Sequence, residues 1–218
     1  MHPRVKAVAR PIVLAVNTPL AKARGKAVYA KAERPVKLEI GGNSPRAGWV
    51  VTNVGPTVRN YLDATAPWPF AAGEVSHVYS DNVIEHITLA MNRAFFREAF
   101  KALQPGGKIR LVTPDLRAHV ELYLSGAAAL DSAPAKHYRG MGLVVEHPID
   151  LARIPVASFG HHTGYLFDFE TLKVELEAAG FSDVIQTEAG KSDVPEFAGL
   201  DVRSHEGGAQ LAVEATKK

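Results

Sequence analysis

Apolar and polar positions change period several times along the chain, and each change predicts an element. Thr18 and Pro19 suit a helix cap and a first helical residue, so Leu20 to Glu33 reads as a helix, weakened by Gly25 and ended by Pro35. Val36 to Ile40 is a β-prone run that stops at Gly41-Gly42-Asn43. Trp49 to Val54 predicts a second strand and Tyr61-Leu62-Asp63 a brief third. Val75 to Tyr79 predicts a fourth, opened by the turn Ala72-Gly73. From Asn82 to Leu103 the apolar residues Val83, Ile87, Ala90, Ala94 and Phe95 recur near helical spacing, and Gln104-Pro105-Gly106-Gly107 ends that helix. Lys108 to Thr113 is a fifth strand. Residues 115–160 mix helix and loop, Phe169 to Ala179 is a helix closed by Gly180, and Val184 to Thr187 and Ala209 to Ala215 are late strands.

Strands alternating with helices predict an α/β sheet whose strands are mostly parallel. One spacing strains this reading. Parallel neighbours need a crossover of about a dozen residues, yet only about seven separate the first two strands. The early half of the sheet must therefore be abbreviated or connected unusually.

Composition narrows the class. With 218 residues, 46% hydrophobic and 22% charged, the chain suits one globular domain with its own core. Cysteine is absent, which excludes disulfides and thiolate metal sites and leaves His, Asp, Glu and amide oxygens as metal ligands. Charge is uneven. Residues 1–34 hold eight basic residues against Glu33 alone, a net of +7, so with a total of +2 the rest carries −5. The expected organisation is a basic helical arm over 1–34 and one domain over 35–218. The arm suits a lid, a dimer contact or an anionic surface. Its aromatic content is Tyr29 alone, so nucleic acid is not the expected partner. Pro11 to Val16 is too short and too interrupted for a leader or a membrane span, and the chain reads as cytoplasmic, with no transmembrane segment.

In open α/β sheets ligands bind beyond the carboxyl ends of the strands, so residues following strands are the candidates. Leu38-Glu39-Ile40-Gly41-Gly42-Asn43 ends the first strand with glycines that allow close backbone approach. An ordered set follows: Gly48-Trp49, Asp63 before Pro67-Trp68-Pro69-Phe70, Ser80-Asp81-Asn82-Val83-Ile84-Glu85-His86, Pro105-Gly106-Gly107, Pro114-Asp115-Leu116, and Phe167 to Leu172. Over residues 36–190 this set resembles the class I S-adenosylmethionine-dependent methyltransferases, and within them a small bacterial methyltransferase-like group. The resemblance implies a Rossmann-like sheet with a late antiparallel strand. It also implies S-adenosylmethionine as cofactor. Glu39, Gly41 and Gly42 would flank its methionine part, with Asn43 next to them where such proteins usually carry a second glycine, and Asp63 and Ala64 would lie beside its adenine. Ser80 and Asp81 would lie between cofactor and acceptor. Gly55 stands where such proteins carry an acidic ribose-binding residue, and Asn53 is the polar residue nearest to that place.

Methyl transfer to a hydroxyl needs a base near its proton, most readily a histidine at neutral pH. His86, His147 before Pro148, and His161 and His162 in a glycine-bounded stretch are the candidates, and Asp81 is a further catalytic candidate. If the stretch is extended, one of His161 and His162 faces in and the other out. Asn82, Glu85 and His86 would share one helix face and could hold Mg²⁺. Their spacing is similar to the metal segment of the ubiquinone-biosynthesis O-methyltransferases, with Asn82 in place of the first Glu. The expected function is O-methylation of a small polar hydroxylated acceptor, a sugar or oligosaccharide first among them, with residues 115–165 forming the acceptor pocket. The alternative is a noncatalytic methyltransferase-like binding or assembly protein, and Asn43 and Gly55 favour that alternative.

Overall fold

The structure, a computed structural model, is described for residues 3–55, 57–201 and 209–218, with side chains from residue 17 onward. A long helix α1 (Pro3–Lys31) leads into strands β1 (Val36–Ile40), β2 (Val50–Thr52) and β3 (Val75–Asp81). Helix α2 (Leu89–Ala102) runs directly into β4 (Leu103–Pro114). Helices α3 (Leu116–Leu124), α4 (Ala133–Gly140), α5 (Pro148–Ala157) and α6 (Phe169–Ala178) precede the strands β5 (Ser182–Thr187) and β6 (Gln210–Thr216). The sheet order is β2-β1-β3-β4-β6-β5. The first four strands are parallel, and β6 runs antiparallel to both β4 and β5. This is the mostly parallel, Rossmann-like sheet with a late antiparallel strand that the sequence implies.

Alternating side chains give the two sheet faces different partners. Leu38, Ile40, Val78, Ile109, Leu111 and Val213 form one face, packed by Phe95, Phe96 and Ala99 of α2, Leu172 and Leu176 of α6, and Tyr29 of α1. The other face carries Glu39, Tyr79, Arg110 and Glu214 in one row across the strands. Among the described residues no crossover helix covers this row, because only residues 41–49 join β1 to β2 and no helix is found between β2 and β3. The cover comes from two loops. Trp49 packs edge-on against Tyr79 at 6.3 Å. Val194, Phe197, Leu200 and Asp201 arrive from the long β5–β6 connection. That connection supplies the burial which the abbreviated early helices would otherwise give.

Arg110 is fully buried there. Its Nε and Nη2 donate to Asp201 Oδ2 at 2.9 and 2.7 Å, and its Nη1 donates to Thr187 Oγ1 at 2.8 Å and to Glu214. A buried guanidinium is tolerable only when its donors and its charge are both met. Asp201 therefore ties the connection to the centre of the sheet.

Four expectations need correction. Helix α1 begins at Pro3 and continues through Thr18 and Pro19, so Thr18 is not its cap. Its second half packs into the core with Ala21 and Tyr29 buried, and the Tyr29 hydroxyl donates to Tyr61 O at 2.7 Å. Gly25 is an asset rather than a weakness, since a Cβ there would lie 2.7 Å from Tyr61 O. The third strand is reduced to one bridge between Asn53 and Tyr61. The helix placed at Asn82 begins at Leu89, because Thr88 caps it by accepting from Met91 N while Ile84–His86 forms a separate 3-10 turn. The side chains of Arg4, Lys6, Arg10 and the run Pro11 to Val16 lie outside the described side chains. Among the described residues no helix is long and apolar enough to cross a membrane.

Residues 116–163 form a unit around a small core of their own: Ala129, Ala135, Tyr138, Val145, Leu151 and Ile154. This unit follows β4 and roofs the carboxyl edge of the sheet.

If Asp201 anchors the long connection, Asp201→Ala leaves Arg110 buried and half-paired, and stability should fall by about 3–5 kcal/mol. Urea denaturation measures this. A loss below about 1 kcal/mol, the range of an exposed ion pair, would contradict the anchoring role.

Candidate functional site at the carboxyl edge

The strand order changes direction about β1, whose neighbours are β2 and β3. The chain therefore opens a crevice beyond the carboxyl ends of β1 and β3, where such sheets bind ligands. Gly41 turns the chain there with φ +82°, and Asn82 does the same after β3 with φ +51°. The two loops touch closely. A Cβ on Gly41 would lie 2.2 Å from Val83 Cγ2, and one on Gly42 would lie 2.4 Å from Val51 Cγ1 and 2.6 Å from Glu39 Oε1. Both glycines are thus required by packing.

Two cavities adjoin this contact. The larger, about 710 Å³, is lined by Gly42, Asn43, Arg46, Asn53, Asn60 and the α1 residue Lys31, among others. Its volume suits a nucleoside-sized ligand. The smaller, about 260 Å³, is lined by Asn82, His86, Pro114, Tyr138, Phe159 and His161, among others. It lies between the strand ends and the 116–163 unit.

The residues expected at a cofactor are distributed as follows. Glu39 is buried and accepts from Arg46 Nε at 2.7 Å. Asn53 Nδ2 donates to the carbonyls of Gly41 and Gly42, both at 3.2 Å, and to Asn43 Oδ1 at 3.0 Å, while its Oδ1 accepts from Val54 N. Asn53 thus fastens the glycine loop, and its amide is committed there rather than presented to a ribose. Asp63 accepts from Thr65 N and Oγ1, closing its own turn beside a third cavity of about 140 Å³. Ala64 is buried and its carbonyl accepts from the Trp68 indole at 3.1 Å. Ser80 is buried at the end of β3, and its Oγ has no hydrogen-bond partner among the described residues. Asn60 Oδ1, on the larger cavity, is likewise buried without one. Both atoms are shielded from the cavity, so a ligand there meets the lining side chains Lys31, Asn43, Arg46 and Arg59 instead. The cations among them fit the carboxylate of S-adenosylmethionine.

The basic and metal candidates separate more sharply. His161 is buried and lines the smaller cavity. Its Nδ1 lies 2.7 Å from Pro155 O. A carbonyl only accepts, so Nδ1 carries the proton and the neutral ring keeps its lone pair on Nε2. His162 is exposed, so one histidine of the pair faces in and the other out, although the segment is a 3-10 turn rather than extended. His147 is exposed at the start of α5, with its backbone N–H on Asp150, and it does not line the smaller cavity. Asp81 accepts from the Tyr79 hydroxyl at 3.3 Å on the opposite sheet face. The Tyr79 hydroxyl is pushed far up, first by burial and then by the Asp81 charge.

Asn82, Glu85 and His86 do not share a helix face, because Asn82 lies in the left-handed turn before the 3-10 turn. The side chains that meet are Glu85, His86 and His161, whose ligand atoms all lie within 4.8 Å of one another. The His86 and His161 rings meet edge-on with centroids 4.7 Å apart. Burial against the cavity wall, and then His161, lower the His86 pKa. Two further residues make the meeting possible. Gly164 brings the 161–163 turn against the 84–86 turn, since a Cβ there would lie 1.8 Å from Glu85 O. Asn92 is buried in α2 and donates to Ile84 O at 2.9 Å, holding the first turn in place. Neither residue stands out in the sequence; glycine before an aromatic is the nearest signal.

No protein-family model and no curated protein sequence matches the chain. Solved structures do. A SAM-dependent methyltransferase from Thermotoga maritima, described as a possible histamine N-methyltransferase, is 16% identical with TM-score 0.45, covering 98% of this chain and 96% of that one. Human N-acetylserotonin methyltransferase in complex with SAM is 14% identical with TM-score 0.47, covering 94% and 52%. CurJ carbon methyltransferase is 14% identical with TM-score 0.45, covering 92% and 53%. The chain thus spans about half the length of the last two. What the site can do is set by the chain's own residues.

Gly164→Ala should part the two turns and cost about 1–3 kcal/mol through overpacking. In chelator-treated protein, the His86 imidazole should then titrate closer to its ordinary value, because both causes that lower it are relieved. Proton NMR of the imidazoles reads this. An unchanged His86 titration would show that the two turns are not held together by this contact.

Proposed function

We propose that this protein is an S-adenosylmethionine-dependent methyltransferase acting on a hydroxyl of a small polar acceptor held in the 260 Å³ cavity. The observation that carries the reading is an adjacency. The glycine loop lines the larger cavity through Gly42 and Asn43 and meets the loop after β3 at the Gly41–Val83 contact, and that second loop lines the smaller cavity, with imidazoles in its wall, through Asn82. The resemblance of residues 36–190 to class I methyltransferases supplies the cofactor.

S-Adenosylmethionine, when bound, supplies a methyl carbon that an acceptor oxygen displaces from the sulfonium sulfur, with the C–S electron pair returning to sulfur. The chain's task is mainly positioning. Asn53 holds the glycine loop in one conformation. Tyr138 and Phe159 wall the acceptor cavity with rings, and Asn82 and Gln210 line it with amides. This mixture of flat apolar and hydrogen-bonding surface suits a sugar ring. His161, with Nδ1 fixed on Pro155 O, presents Nε2 to take the proton that the acceptor hydroxyl loses. The 116–163 unit forms one wall of the cavity through His137, Tyr138, Phe159 and His161.

One observation favours a second reading, a noncatalytic binding or assembly protein on the same fold. Strand β2 leads into Asn53-Val54-Gly55 without a carboxylate, and the Asn53 amide is committed to the glycine loop.

The test is transfer of labelled methyl from S-adenosylmethionine to a panel of monosaccharides, oligosaccharides and catechols, with products identified by mass spectrometry. His161→Ala should lower kcat by about 10²- to 10⁴-fold, the worth of a general base, with cofactor affinity unchanged. His162→Ala should retain wild-type turnover. Equal effects of the two substitutions would sink the assignment of the base, and no transfer to any member of the panel would favour the second reading.

A further inference from the structure

Glu85, His86 and His161 come from two turns that meet at the smaller cavity, and their ligand atoms lie within 4.8 Å of one another. We infer that these three side chains form a binding site for a divalent transition-metal ion of the zinc, cobalt or iron class, open toward the cavity.

The donor set decides the class of ion. Mg²⁺ takes oxygen ligands and keeps several waters. Two imidazoles and one carboxylate suit Zn²⁺, Co²⁺ or Fe²⁺ instead. The chain has no cysteine, so no thiolate competes for such an ion. Three protein ligands leave one position for water or substrate, as in catalytic rather than structural zinc sites.

The surroundings are those a metal site needs. A ligating histidine is normally oriented through its other ring nitrogen by a carbonyl or a carboxylate. His161 has this arrangement: Nδ1–H donates to Pro155 O at 2.7 Å and Nε2 remains as the ligand atom. Glu85 is fully buried, and its Oε2 accepts from Thr113 Oγ1 at 3.1 Å. Thr113 lies at the carboxyl end of β4, so the sheet itself orients the carboxylate. His86 is exposed, which leaves its ring room to turn toward an ion. Asn82, His86 and His161 line the same cavity, so an ion there faces whatever the cavity holds. A bound ion would take the two imidazole lone pairs and acidify a hydroxyl oxygen in their place.

The test is independent of the methyltransferase reading, because the chain binds or does not bind the ion without cofactor or acceptor, but the ion and the His161 base are alternatives, since Nε2 cannot both hold the ion and take a proton. The experiment is titration of chelator-treated protein with Zn²⁺ by calorimetry and with Co²⁺ by visible absorption. The expected result is one ion per chain, with cobalt ligand-field bands showing nitrogen and oxygen donors. His86→Ala, which changes an exposed residue and spares the fold, should abolish stoichiometric binding, and His161→Ala should do the same. Thr113→Val, which leaves all three ligands in place, should weaken binding about 10- to 100-fold. His162→Ala should bind as the parent does. Failure to bind either ion, binding that survives His86→Ala and His161→Ala, or equal binding of Mg²⁺ would each overturn the site.

Discussion

The structure depends on a missing element. Strands β1 and β2 are parallel neighbours, yet residues 41–49 that join them are too few for a helix. One sheet face is therefore left for other segments to cover, and the row Glu39, Tyr79, Arg110 and Glu214 must be buried by them. Trp49 and Arg46 do part of this from the β1–β2 loop. The β5–β6 connection does the rest, with Phe197 as its apolar plug and Asp201 as its anchor on Arg110. An apolar row would need only burial. A row with a central arginine needs a carboxylate delivered at a defined place, which fixes where the connection runs.

The same shortage shapes the site. The short β1–β2 loop brings Arg46 back onto Glu39, and Asn53 onto the glycine carbonyls, so the loop is held by the protein's own groups. Its partner loop after β3 packs against it through Val83. Polar groups that the fold leaves unmet, Ser80 Oγ and Asn60 Oδ1, lie close to this junction. On the far side the 116–163 unit, with its own small core, lowers His161 into the cavity. The sheet edge and the inserted unit are joined where Gly164 lets one turn rest on another.

Much of this was legible in the sequence. Short β-prone runs bounded by glycine and proline marked β1, β3 and the later strands, because local chemistry ends those elements. The location of the site followed from the rule that parallel strands present ligands at their carboxyl ends. What was not legible came from contacts distant in sequence. Val83 and Ile87 have helical spacing, but Thr88 caps the real helix and Asn92 holds the preceding residues in a tighter turn. His161 could be named as a base candidate, yet its meeting with Glu85 and His86 depends on a missing Cβ at Gly164. Asn53 could be named as polar and close to the cofactor. That its amide would be committed to the glycine loop is a matter of register between β1 and β2, which no local pattern reveals.

The crevice between β1 and β3 is proposed as a nucleoside cofactor site, despite a second strand that ends without a carboxylate. Calorimetric titration of the purified protein with S-adenosylhomocysteine tests it most directly, since the product analogue needs no acceptor and no turnover. The account predicts one-to-one binding in the micromolar range, weakened by Gly42→Ala, whose Cβ would displace Glu39 and the loop. Absence of binding up to millimolar concentration would contradict it, and would leave a Rossmann-like sheet whose carboxyl edge serves something other than methyl transfer.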